Sequence, residues 1–318
     1  MMFQTLVHSI VTFIDLVALS ALAGIILCAV RQPLQSPDTE DSAFLSHRLY
    51  RLGMLCIGTL AISGIGDLMQ RTSEMSGAES IDAVFAALPL VINKTHYGDL
   101  WLIRMACIPI LLALYLLRKR QMHTVLFAAL AGAVVSVICF CRSASGHAAD
   151  FGDFSAPQLV DWLHLMAASF WSGPLLALAV VAPASVIGAR PNLHAAVAGI
   201  ADRYLWIFGP LLAIAVFSGM FNAHIEVGTF SGLLTNTYGL DLSAKLSVLL
   251  VIAMRFIAPP SRRQDEASFV AAFLKRIRID ALLILAILLC VAFFTHEIPA
   301  RHLQMKHMEM NHEHMMMQ

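Results

Sequence analysis

Eight largely apolar runs recur along this chain, each about as long as the ~17–25 residues that cross a hydrocarbon core of roughly 30 Å. Their limits are Thr5–Val30, Leu49–Met69, Leu100–Leu117, Val125–Cys141, Leu159–Val181, Tyr204–Phe221, Leu240–Ile257 and Ile279–Phe294. The runs are continuous rather than alternating, which selects helices and excludes a β-barrel. Charged residues make up 13% of the chain, where a soluble domain carries roughly 25%. Mean hydropathy is +0.74. The expected fold class is therefore an all-α polytopic membrane protein with eight transmembrane helices. A weaker apolar stretch, Ile81–Ile92, is too short to span and is expected to be a surface or re-entrant helix.

Other classes fall away on the same numbers. A formal net charge of zero gives no support to nucleic-acid binding. Cys28, Cys56, Cys107, Cys139, Cys141 and Cys290 all lie in apolar runs, so no disulfide framework is expected. The first run has no basic segment before it and is too long for a cleaved signal, so it reads as a retained helix.

Loop charge sets the orientation. Arg31, Arg48 and Arg51 fall between the first two runs, Arg118, Lys119 and Arg120 after the third, and Arg190 and Arg203 between the fifth and sixth. Arg255, Arg262, Arg263, Lys275, Arg276 and Arg278 fall between the seventh and eighth. The other side holds Arg71, Lys94, Arg142, Arg301 and Lys306. The positive-inside rule puts the first group in the cytoplasm and both termini outside. The unusual polar residues then fall on the outer side: His8, Asp67, Met69, His96, His147, Asp161, His164, Met220, His224 and the C-terminal tail.

The two halves of the chain align. Phe13-Ile14-Asp15 through Gly24 matches Trp162-Leu163-His164 through Gly173 without gaps. Ser63-Gly64 matches Ser218-Gly219, which pairs Asp67 with Asn222 and Met69 with His224. Tyr97-Gly98 to Arg104 matches Tyr238-Gly239 to Lys245. The expected organisation is two parallel four-helix repeats, residues 1–143 and 144–295, followed by a His/Met-rich tail at 296–318.

The segment Ser145–Leu176 concentrates the chemistry. A polar loop carrying His147 leads into an apolar helix carrying Asp161, His164 and Trp171. Ionisable groups in such a helix are costly and mark functional sites. Asp161 and His164 are three residues apart and share a helix face. His147 and His224 lie at the same outer end, with Met220 and His96 close to it in the topology. Imidazole and thioether are ligands suited to copper, and no carboxylate cage for calcium or magnesium is present. Set against this, a single histidine of this kind equally well caps a helix or bonds a carbonyl.

The tail reads HEIPARHLQMKHMEMNHEHMMMQ from His296. His302, Met305, His307, Met308, Met310, His312 and His314 are expected metal ligands, and the interleaved thioethers narrow the metal to copper, as Cu(I), Cu(II) or both. Asp15 is expected to pair with Arg104 or Lys245 in a structural role. Cys139 and Cys141 point about 200° apart on a helix and read as buried packing residues. Pro174 and Pro210 are expected to kink their helices.

At these residues the sequence resembles the copper resistance protein D (CopD) family. The resemblance runs through S-G-H at Ser145–His147 and D-x-x-H-x(6)-W-x-G at Asp161–Gly173. It continues through S-G-x-F-N-A at Ser218–Ala223, followed by His224, and T-Y-G at Thr237–Gly239 with Lys245. It implies a multi-pass protein of the bacterial inner membrane, both termini periplasmic, that moves copper between periplasm and cytoplasm, most simply as import. It implies a histidine mouth at His147, His164 and His224, and a periplasmic copper carrier of the CopC type as partner, alongside membrane lipid. No enzymatic chemistry is expected, and no Walker-type ATP loop is present. Two other functions fit the residues: a membrane cytochrome with a b-type haem held by histidines of neighbouring helices, and a copper sensor or assembly factor that holds the ion without moving it.

Overall fold

The computed structural model describes residues 2–30, 40–78, 80–118, 124–182, 192–227, 243, 246–252, 254–255 and 266–294. Among these residues the fold is wholly helical. In chain order the helices are α1 (Met2–Val30), α2 (Glu40–Ser76), α3 (Ile81–Lys94), α4 (His96–Arg118), α5 (Thr124–Ala144), α6 (Ala156–Val181), α7 (Asn192–Val227) and α8 (Glu266–Phe294). A 3₁₀ turn at His147–Phe151 joins α5 to α6.

Among the described residues six stretches are long and apolar enough to cross a membrane: Leu6–Cys28, Phe44–Ser76, His96–Leu117, Val125–Ala144, Ala156–Val181 and Phe208–Ile225. They overlap the first six apolar runs, and the chain is a multi-pass helical membrane protein. Of the seventh run, the described residues 243, 246–252 and 254–255 are helical, and the eighth run falls within α8. The short stretch after α2 forms α3, a helix of 14 residues. Ser80 caps it by accepting from the Ala83 amide at 3.3 Å. Val84 and Val91 are buried, whereas Ile81, Phe85 and Leu90 are exposed, so it is a two-faced helix too short to span.

The second half of α1, from Leu16 to Ile26, is buried almost throughout, the pattern of a helix enclosed by others. Leu19, Leu22, Ile25 and Ile26 are sealed in a core shared with α2, α4, α5 and α6. At one end of that core the Tyr115 ring packs edge-on to Phe127 at 5.2 Å. α1 and α6 cross where side chains vanish. A Cβ on Gly173 would lie 2.6 Å from the Gly24 nitrogen and 2.9 Å from its Cα. Ser20 and Ser169 precede these glycines by four residues, so small residues on both helices let the backbones touch.

Polar contacts tie together one end of the bundle. The Tyr97 hydroxyl donates to Asp67 at 2.7 Å, joining α4 to α2. His8 Nδ1 lies 2.9 Å from Glu74, joining α1 to α2. Arg71 donates to the Ser145 carbonyl at 2.9 Å, joining α2 to the end of α5. At the opposite end Arg48 donates to the Val181 carbonyl at 3.0 Å and caps the C-terminus of α6. The unusual polar side chains thus gather at the end formed by the starts of α1, α4 and α6 and the ends of α2, α5 and α7.

Candidate functional site

The site is built on the first two turns of α6. Ser155 caps this helix, accepting from the Gln158 amide at 3.4 Å, and Pro157 follows in its first turn, where a missing N–H costs nothing. The Gln158 side chain folds back and accepts from the Phe154 amide at 2.9 Å. That contact fixes the loop before α6, where Phe154 holds a φ of 59°. With its start so anchored, α6 presents Asp161 and His164 on one face.

Both residues reach α7. Asp161 Oδ1 accepts from Asn222 Nδ2 at 2.9 Å, and its Oδ2 accepts from the Ser143 hydroxyl of α5 at 2.7 Å. His164 Nδ1 lies 2.8 Å from the Ala215 carbonyl and 3.2 Å from Ser218 Oγ. A carbonyl only accepts. Ser218 directs its own hydrogen to the Ile214 carbonyl at 2.6 Å, so towards His164 it accepts as well. Nδ1 therefore carries a proton, which in the neutral imidazole leaves the lone pair on Nε2. Gly219 makes room for the ring: a Cβ there would sit 2.9 Å from His164 Cε1.

The other expected ligands are distributed differently. His224 and Met220 are exposed on α7. His96, at the start of α4, is exposed and pairs with Asp153 of the loop before α6 at 3.2 Å. The side chain of His147 and the tail residues His302, Met305, His307, Met308, Met310, His312 and His314 lie outside the described residues, as does Lys245. Among the described residues no group of three or more His, Cys, Asp or Glu side chains stands close enough to hold a metal ion. Trp171 is buried deeper in α6, where its indole packs into a second core with Phe208 and Ile252. Cys139 and Cys141 are both buried and free, in separate apolar clusters, as packing residues should be.

Asp15, one helix over, meets its expected partner Arg104. It also binds Arg142 of α5 at 2.6 Å and accepts from Ser63 at 2.6 Å. Arg142 was legible only as an outer loop charge. Ser143 and Asn222, the donors to Asp161, were not singled out, although Asn222 stands in the S-G-x-F-N-A motif and opposite Asp67 in the repeat.

Comparisons with known proteins point to one family. Residues 2–156 match the family described as copper resistance protein D-like, N-terminal domain. Residues 198–294 match the family described as copper resistance protein D. Copper resistance protein D of Pseudomonas syringae pv. tomato is 27% identical over 247 residues, covering 72% of this chain and 74% of that protein. No solved structure matches. With both family matches in chain order and a relative of the same name matching over 72% of the chain, this multi-pass helical chain belongs to the copper resistance protein D family.

Proposed function

We propose that this protein takes copper at the periplasmic face of the inner membrane and carries it inward, with the α6–α7 mouth as the entry. The observation that carries this reading is the pair of acceptors that meet His164 Nδ1, the Ala215 carbonyl and Ser218 Oγ. An imidazole whose Nδ1–H is held by a backbone carbonyl, with its lone pair on Nε2, is the form in which histidine ligates metals. Asp161 one turn away adds a carboxylate on the same face. His147 and His224 complete the proposed ligand set, with Met220 and His96 at the rim. The tail's histidines and methionines capture copper first and deliver it to this mouth, and a CopC-type carrier is the proposed donor. Family membership supports copper as the ion; no comparison favours haem.

The eight-span, two-repeat organisation with both termini outside is part of the same proposal. Contacts between aligned positions support it. Gly24 meets Gly173 at the α1–α6 crossing. Asp15 binds Ser63, and His164 binds Ser218, so one helix pair makes the same link in each half. A two-fold axis along the membrane normal at the glycine crossing relates both.

The test is copper uptake by proteoliposomes that hold the purified chain. Transport predicts accumulation above that of protein-free vesicles, and equal accumulation overturns it in favour of a protein that only holds the ion. A second expectation concerns the tail. Deleting the residues after Arg301 should lower the copper bound per chain while one ion stays with the membrane part. A truncated chain that retains no copper in equilibrium dialysis contradicts the mouth as a site.

A further inference from the structure

Two carboxylates face α5 from opposite halves of the bundle, and consecutive residues of α5 serve them. Arg142 goes to Asp15 at 2.6 Å. Ser143 goes to Asp161 at 2.7 Å. Arg142 nevertheless lies close enough to Asp161 to interact with it electrostatically. A guanidinium is a better partner for a carboxylate than a hydroxyl is. Something therefore keeps Arg142 from bonding Asp161.

Asp15 supplies the reason. Its side chain is 3% exposed, and it holds Arg104 and Arg142 at once, with Ser63 on the same oxygen as Arg104. Removal of a charge from so buried a set is costly, which keeps both arginines in place. Asp161 is bonded meanwhile by Ser143 and Asn222, two neutral donors.

We propose that Asp15 is a positioning residue for cation entry: it pins Arg142 on the first half of the bundle and so keeps a fixed positive charge off Asp161 in the second. The inference rests on the α6–α7 mouth as the copper entry. When Asp15 loses its charge, Arg142 turns to Asp161, neutralises it and repels the arriving ion.

The experiment compares copper uptake by proteoliposomes of the full chain in four forms: wild type, Asp15→Asn, Arg142→Gln and the double variant. Asp15→Asn should lower uptake by about tenfold or more, the scale on which a like charge disfavours a partner. Arg142→Gln and the double variant should both stay within about threefold of wild type, because neither leaves an unpinned guanidinium to occupy Asp161. Gel filtration of each sample verifies folding. Wild-type uptake by folded Asp15→Asn overturns the proposal, and so does a folded double variant as impaired as the single one. If Asp15→Asn does not fold, the double variant decides alone: a loss of about tenfold refutes the proposal, and near wild-type uptake upholds it. A His164→Ala chain run in parallel separates the two readings. Its wild-type uptake removes the mouth itself, whereas its loss together with an unaffected Asp15→Asn removes only the role of Asp15.

Discussion

Replacing Gly173 by leucine should leave less than about a tenth of the wild-type amount of folded protein in the membrane, because the clash exceeds ordinary overpacking, which costs ~1–3 kcal/mol. At most positions an added side chain finds a rotamer that avoids its neighbours. Here the obstruction is backbone. The first carbon of any side chain on Gly173 would collide with the Ser20 carbonyl and lie 2.6 Å from the Gly24 nitrogen. No rotation moves a Cβ, so α1 and α6 would have to separate. That separation would open the core in which Leu19, Leu22 and Ile25 are sealed. Helix association in lipid rests on such close packing, since hydrocarbon solvates apolar side chains as well as a neighbouring helix does. Gly58 is the matched control: its Cβ would meet nothing within 4 Å, so Gly58→Leu should accumulate as wild type does. Gel filtration of a fluorescent fusion in mild detergent measures both. A monodisperse Gly173→Leu peak at wild-type height would show that the crossing is not the keystone of the bundle.

What could be read from the residues divides along a physical line. Apolar content marks the part of each helix that sits in hydrocarbon, and the first six runs were legible for that reason. The helix itself need not stop at the membrane surface. α2 runs from Glu40 to Ser76, well past both ends of its apolar run Leu49–Met69, because backbone hydrogen bonding continues in water once a helix is nucleated. The cost of an unpaired intramembrane charge predicted a partner for Asp15, and Arg104 is one of the two named. Cost alone could not name Arg142, whose place beside a loop made it look solvated. The pairing of His8 with Glu74 spans 66 residues of sequence and leaves no local signal. Asp161 and His164 were visible as polar residues on an apolar face. That they face α7 follows from three-dimensional packing, and so does the choice of Ala215 and Ser218 as the groups that orient the ring.

The second large effect is expected at that ring. His164→Ala should reduce copper uptake to the level of protein-free vesicles, and it should remove the ion that stays with a chain truncated after Arg301. Loss of a group that merely orients a metal-bound histidine costs about 10–100-fold in metal affinity. Loss of the histidine itself should cost at least that much, since the lone pair goes with it. Two neighbouring substitutions make the expectation specific to the ring rather than to local packing. Ser218→Ala removes one acceptor from Nδ1, but the Ala215 carbonyl at 2.8 Å still holds it, so uptake should change little. Gly219→Val adds its first carbon 2.9 Å from His164 Cε1 and displaces the ring without altering its chemistry. It should therefore impair uptake nearly as much as His164→Ala, while the protein still elutes as folded. Copper per chain, measured by elemental analysis after dialysis, should rank the variants as Ser218→Ala, then Gly219→Val, then His164→Ala. If His164→Ala holds as much copper as wild type, the lone pair on Nε2 is not the ligand, and the α6–α7 mouth is a structural contact between two helices.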